Sequence, residues 1–404
     1  MIDNIDNKIK TNLLKMLNYK INVNDELKSL SNEELDKIIA LTKRHHIKEY
    51  LYYNLKKNNL LYLLNEKQLK DLEDAFKQKT FYNMSLLAEL KRISKELKKE
   101  NIPMIVLKGL HLMQGIYPHI ALRYSRDLDI LIPKNKAKEA FSAVQRLNYY
   151  CDKELTQHDY SFKYHHHLAQ LFNKKNNFVL ELHAYLSEKF HVDTNRLWKN
   201  YKDEKLDLED LIIHLCVHMS YTDIFKNDIR HYLDIYVILE KCRNDIDWNI
   251  LKQRAQDDKC LEGVYLMFKI VQNIFSIKLP NEVENLYNFT KEQKQIVHNA
   301  IEFVWLYDKS SKDYEFFRSQ NVGITKPNSL LQKIFSRIFI PKHELAYIYS
   351  QDEHSKKIYF YYFIRFFDLI RRHTLKIIGI NTTDSKKDFV NKTAYVYNYL
   401  NKGN

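Results

Sequence analysis

Apolar residues recur at helical spacing along most of the chain. Leu69, Leu72 and Phe76, then Leu87, Leu90, Ile93 and Leu97, mark one face of a helix from about Glu66 to Glu100. Lys98 and Lys99 load its last turn, as suits a helix C-terminus, and Pro103 stops it. Ser31 and Glu34 have the spacing of a capping box at the start of a helix through Ala40. Ala137, Ala140, Phe141, Val144 and Leu147 give an amphipathic helix between Lys134 and Leu147, and from Leu206 onward the pattern is helical again. The period breaks between residues 102 and 133. Two short apolar runs, Met104 to Leu107 and Leu128 to Ile132, are bounded by turn residues and read as buried strands. Two of the six glycines (Gly109, Gly115) and three of the six prolines (Pro103, Pro118, Pro133) fall in this stretch. A further strand-like run carries Glu181 and His183, and strand pieces are expected at Ser161 to Tyr164 and Leu168 to Phe172.

Strand geometry gives the break its chemistry. Residues two apart share a face, roughly 6.5 Å apart, so Asp127 and Asp129 aim their carboxylates together. Two convergent carboxylates stay ionised only with a cation between them. The fitting partner is a hard, oxygen-loving cation, Mg²⁺ or Mn²⁺. A pair of such ions roughly 4 Å apart would clamp the attacking and leaving oxygens of a phosphoryl displacement. Asp245-Ile-Asp247 and Asp207-Leu-Glu209 repeat the acid spacing without the glycine turn or the apolar strand run, and Asp247 reads as an N-cap. Gly109 opens a helix to about Ile116, whose free N–H groups suit an anion, and Lys108 adds positive charge there or is a solvated turn residue.

The segments Val106-Leu-Lys-Gly109, Tyr117-Pro118 and Arg123-x-x-x-Asp127-x-Asp129-Ile-Leu-Ile resemble the polymerase-β-like nucleotidyltransferase superfamily. Within it they are similar to the bacterial family labelled uncharacterised nucleotidyltransferase, over about residues 70 to 240. The resemblance implies an α+β fold, a small mixed-sheet catalytic core with large flanking helical regions. It implies metal held by Asp127, Asp129 and Glu181, with Glu181 as third ligand or as general base. An NTP is the implied co-substrate, its triphosphate met by Lys108 and Gly109. Arg123 matches an arginine recurring four before the first acid; it braces the carboxylates, meets a phosphate, or pairs with a structural acid. His183 shares the Glu181 face, where it touches substrate, hydrogen-bonds the site or packs, and His218, Arg230 and Asp234 are expected to line the cleft opposite the strands or to serve as core hydrogen-bonding groups. Many active superfamily members carry Gly-Ser or Gly-Gly at the turn, where this chain has Lys108-Gly109-Leu110. The expected activity is transfer of an NMP from an NTP to a hydroxyl of RNA, protein or a small molecule, releasing pyrophosphate. The alternative is a non-catalytic nucleotide- or nucleic-acid-binding regulatory protein on the same fold, for which the altered turn speaks.

Composition changes the picture in a few places. The 404 residues carry a net charge of +13, which suits a polyanion such as RNA, although a Lys-, Ile-, Asn- and Tyr-rich bias gives the same charge without function. Four cysteines without a Cys-x-x-Cys exclude zinc-ribbon and redox motifs. There is no apolar h-region at the start and no run near the ~18 residues of a spanning helix, so a cytoplasmic protein is expected. His165 and His167 would share a strand face without a third ligand. His214 and His218 stand at i and i+4 without the HExxH glutamate, and the adjacent His45 and His46 read as surface residues. The expected regions are helical 1–100, catalytic 101–200, helical 201–325 closing the cleft, and a basic-aromatic 326–404, with a break near 321–329. The aromatic run from Ile358 admits three readings: a buried helix, a membrane-surface helix, or a nucleic-acid stacking surface.

Overall fold

Apolar β-branched and leucine side chains build the centre of a five-stranded sheet of order β1-β2-β5-β4-β3 in this computed structural model. The strands are β1 (Ile105–Val106), β2 (Asp127–Leu131), β3 (Tyr149–Tyr150), β4 (Leu171–Asn173) and β5 (Val179–His183). The structure describes residues 6–21, 25–152, 155, 159–160, 162, 165–187, 192–284, 290–306, 338–349, 355–378 and 384–401. β1 runs antiparallel to β2, β2 parallel to β5, and β5 antiparallel to β4. Leu128, Ile130, Leu180 and Leu182 point to one face and are fully buried. They meet Leu86, Leu90, Ile93 and Leu97 of the long helix Glu66–Lys99, and Ala140 and Val144 of helix Ala137–Gln145. Each such side chain contributes about 1.5–3 kcal/mol by leaving water. The opposite face of β2 and β5 carries Asp127, Asp129, Glu181 and His183, so one pair of strands separates a dry layer from the polar one.

The expected elements hold with shifted ends. The capping box at Ser31 and Glu34 is formed, and Asn65 with Gln68 makes a second one that starts the long helix. The strand expected over Met104 to Leu107 shortens to two residues. Lys108 takes a left-handed φ of 48°, which turns the chain directly into a helix that ends at Met113, not at Ile116. The piece expected at Leu168 to Phe172 becomes β4, with His167 bridging to His183. The piece at Ser161 to Tyr164 lies outside the described residues except Phe162, which sits in a turn, and the break near 321–329 lies outside them entirely.

A second core joins the two ends of the chain through the helices after the sheet, from Leu13 and Leu55 through Tyr232 and Phe268 to Val396. Helix Asp384–Leu400 lies on helix Lys291–Leu306, with Phe303 and Phe389 5.0 Å apart and Lys392 paired to Glu302 at 2.6 Å. Two expectations change. His45 is not a surface residue but fully buried: adjacent residues at a helix end point apart, and here one of the two turns inward, taking the Ile229 N–H on Nδ1 at 3.4 Å. The aromatic helix Ile358–Ile378 buries Ile358 against Leu345 and Ala346, yet leaves Phe360, Phe363 and Phe367 more than 60% exposed (65%, 67%, 63%). Its aromatic residues surround the helix, so one packed face cannot cover them. Among the described residues no helix is long and apolar enough to cross a membrane.

Candidate active site

The parallel pairing of β2 with β5 sets Asp129 beside Glu181 and Leu131 beside His183. His183 Nε2 lies 3.0 Å from Asp129 Oδ1 and 3.4 Å from Glu181 Oε2. Lys108, delivered by the left-handed turn after β1, donates from Nζ to the same Asp129 Oδ1 at 2.8 Å. Gln170 Nε2 donates to Glu181 Oε1 at 2.8 Å. Asp127 stands at the mouth, with Arg126 Nε 3.8 Å from its Oδ1, an oxygen that is buried and accepts no hydrogen bond.

The charges divide unevenly over the three acids. Burial, then Asp129 and Glu181, push the Asp127 carboxyl up to about 6. Burial also opposes ionisation of Asp129, but Lys108 and His183 outweigh it and hold that carboxyl well below the usual range. Glu181 is likewise buried, and its hydrogen bond to His183 brings it down to about 2. Burial works against protonation of His183 and of Lys108, and the neighbouring carboxylates raise both. The acid cluster thus carries two counter-cations of its own, while Asp127 is left with an exposed arginine.

The donor set fits a divalent cation. One oxygen from Asp129, one from Glu181 and a nitrogen of His183 all lie within 4.8 Å of one another. Neighbouring ligands around an octahedral ion with bonds of about 2.1 Å stand about 3 Å apart, the spacing His183 Nε2 already keeps to the two carboxylates. The buried, partnerless Asp127 oxygen is a further carboxylate donor on the same strand face.

The other expected residues lie around the turn after β1, the entry to β2 and the helical side. A Cβ on Gly109 would lie 2.9 Å from Ser125 Oγ and 3.3 Å from Arg123 Nη1, so glycine lets this turn close on the chain entering β2. The helix it opens has six residues. Arg123 points away from the acids: its Nε donates to Asp234 at 2.7 and 2.9 Å, and Tyr117 adds a 2.8 Å bond to the same carboxylate, all of it buried. Arg230 donates to the Tyr124 carbonyl at 3.0 Å and faces Asp228 at 3.4 Å. Arg123, Arg230 and Asp234 therefore converge on the segment leading into β2, on the helix Ile229–Cys242 side. His218 pairs through Nδ1 with Asp223 at 2.9 Å, and Asp223 is near enough to Lys108 to raise its pKa. This pair sits on a π-helical turn, His218–Thr222, followed by two left-handed residues, Ile224 and Phe225 (φ 53° and 55°). His214 lies fully buried beside it, and burial keeps it neutral. The rings of His166 and His167 pack 5.2 and 5.1 Å from His183 and wall it in.

Sequence reasoning missed Asp223 and the bond from Tyr117. Tyr117 stood inside the quoted Tyr117-Pro118 pair, which was the available signal; Asp223 follows no periodic pattern. A family model described as "Uncharacterised nucleotidyltransferase" matches residues 31–276, which include every residue of the cluster and extend beyond the stretch of about 70 to 240. No curated protein matches the chain, and no solved structure does.

Proposed function

The chain belongs to this nucleotidyltransferase family, and from that membership we propose that it transfers a nucleoside monophosphate from an NTP to an acceptor hydroxyl. The acceptor oxygen attacks the α-phosphorus, the bond from that phosphorus to the β-bridging oxygen breaks, and pyrophosphate leaves with the electron pair. The acceptor's proton passes to a carboxylate or to water. The observation that carries the reading is the β2–β5 register, which gathers Asp129, Glu181 and His183 on the face that Asp127 shares. When bound, Mg²⁺ or Mn²⁺ supplies charge neutralisation to the phosphates and acidifies the attacking hydroxyl. Asp129, Glu181 and His183 are the residues that would hold it, with Asp127 as a further carboxylate on the same face. Of the two roles open to Glu181, ligand fits better, because a carboxyl brought down to about 2 is a poor proton acceptor. Lys108 moves from Asp129 to the triphosphate as the nucleotide arrives, and the turn at Gly109 seats it. Arg123, Asp234 and Arg230 act as positioning residues that fix the entry to β2; His218 and its Asp223 partner face the cleft from the helical side.

The test is incubation of the protein with each α-labelled NTP and Mg²⁺ in a cell extract, beside the Asp127→Asn, Asp129→Asn double variant. Label passes to RNA, protein or a small molecule only with the intact protein. Label in no fraction would sink the transferase reading. A second reading has one observation in its favour: Lys108 and His183 already neutralise Asp129 without any ion. NTP binding by calorimetry with no label transferred is the result that selects a non-catalytic binding protein.

A further inference from the structure

An open groove of about 690 Å³ runs between the long helix Glu66–Lys99 and the turn joining β4 to β5. Phe81, Tyr82, Ser85, Arg92, Asn176 and Phe178 line it. Phe81 is 70% exposed and Met84 53%, on a helix whose other outer positions are polar apart from Ala88. Tyr82 links the groove to the acids. Its ring lies 5.9 Å from Phe178 and 6.3 Å from Tyr124, and the charges of Asp127 and Arg126 both reach it. The rim is basic. Lys174 and Lys175 stand on the turn, Arg92 on the helix, and Lys79 lies 3.9 Å over the Tyr124 ring. The Arg126 side chain is 75% exposed at the catalytic end. The one acid in the lining, Glu89, is buried and tied to Arg92 at 3.2 Å and Asn173 at 3.3 Å.

We propose that this groove is the track of a single-stranded polynucleotide whose end is presented to Asp127. The inference rests on the nucleotidyltransferase reading and names its acceptor class. The open Phe81 ring and the half-buried Tyr82 beside it give unpaired bases something to stack on, whatever their sequence, and a cationic rim follows a phosphate backbone. From Tyr82 to Arg92 the helix spans roughly 15 Å, the length of about four stacked nucleotides at the 3.4 Å spacing of a strand. A polycationic acceptor such as an aminoglycoside would meet repulsion at the same rim. A duplex hides its base faces and gains only the rim.

The test is fluorescence anisotropy of the full chain with a labelled mixed-sequence RNA strand, the matching DNA strand and the RNA duplex, in parallel with calorimetry of NTP binding. A single strand binds more tightly than the duplex, the RNA and DNA arms tell which sugar is preferred, and affinity falls as salt rises. Phe81→Ala with Tyr82→Ala weakens single-strand binding by at least roughly thirtyfold, the low end for two lost stacking partners, and leaves NTP binding unchanged. Phe81→Ser alone, at a position too exposed to unfold the helix, weakens it in the same direction. NTP binding with no strand binding, strand binding indifferent to Phe81 and Tyr82, or equal binding of duplex and strand each overturn the groove while sparing the nucleotidyltransferase reading. Strand binding through Phe81 with no NTP binding supports the groove and removes the reading beneath it.

Discussion

Asp127 holds the least comfortable charge at the site. Its carboxyl titrates at about 6 in the folded protein against 3.8 ordinarily, because burial and two neighbouring acids oppose ionisation. A raised carboxyl costs the fold nothing below the unfolded value, where both states are protonated. The cost grows as pH climbs from there toward about 6 and is complete above it. Asp127→Asn should therefore stabilise the metal-free protein at neutral pH by about 1–3 kcal/mol, and the gain should fade as pH falls below 6. Urea melts of both proteins across that range measure it; equal stability at pH 7.5 would contradict the electrostatic account. The same titration acts on Mn²⁺ affinity, since protons compete for Asp127: binding should weaken as pH drops through about 6 in the parent protein. Gly109 makes a second point at this level. A methyl there meets Ser125 at 2.9 and 3.1 Å and Arg123 at 3.3 Å, inside a packed turn. Gly109→Ala should destabilise by about 1–3 kcal/mol through overpacking, read as a lower urea midpoint with unchanged slope.

Two strands and one helix carry the site, and they were legible to different degrees. The β2 acids stood out because glycine, proline and a short apolar run interrupted a helical pattern, and Glu181 because apolar neighbours flanked it. Strand periodicity then put Asp127 with Asp129, and Glu181 with His183, on common faces, as they are. The pairing of β2 with β5 could not be read, since it joins residues 52 positions apart, Asp129 and Glu181, across a stretch with no regular period. The same limit hid the partner of Arg123: Asp234 lies 111 residues on, in a helix whose pattern shows only which residues face inward. The three readings for Arg123 included a structural acid, and its bonds run to one. That ion pair bolts the entrance of β2 to helix Ile229–Cys242. Removing one partner of a buried pair strands the other charge, so Asp234→Ala should cost about 3–5 kcal/mol. Denaturant unfolding checks it, and a loss below about 1 kcal/mol would mean that Arg123 finds water or another acceptor.

The path of the chain after the sheet matters for how the protein stays folded. Helix Ile358–Ile378 turns aromatic side chains outward, whereas helix Asp384–Leu400 comes back to the body and buries Phe389, Val396 and Leu400. Phe389 covers Phe303, Lys392 holds Glu302, and the Tyr399 hydroxyl donates to Glu262 at 2.5 Å. Two aromatic-bearing segments thus make opposite contributions. Ending the chain at residue 383 removes the buried Phe389, Val396 and Leu400, worth about 1.5–3 kcal/mol each, and bares the apolar face of helix Lys291–Leu306 beneath them. The truncated protein should lose at least about 5 kcal/mol, a large part of what holds a typical domain together. Phe363→Ser with Phe367→Ser, at positions already open to water, should change stability by less than about 0.5 kcal/mol. Urea denaturation of the three proteins separates the cases. If truncation were neutral and the double serine variant unstable, the anchoring would belong to the outward aromatic helix, and the packing of Phe389 on Phe303 would contribute nothing to the fold.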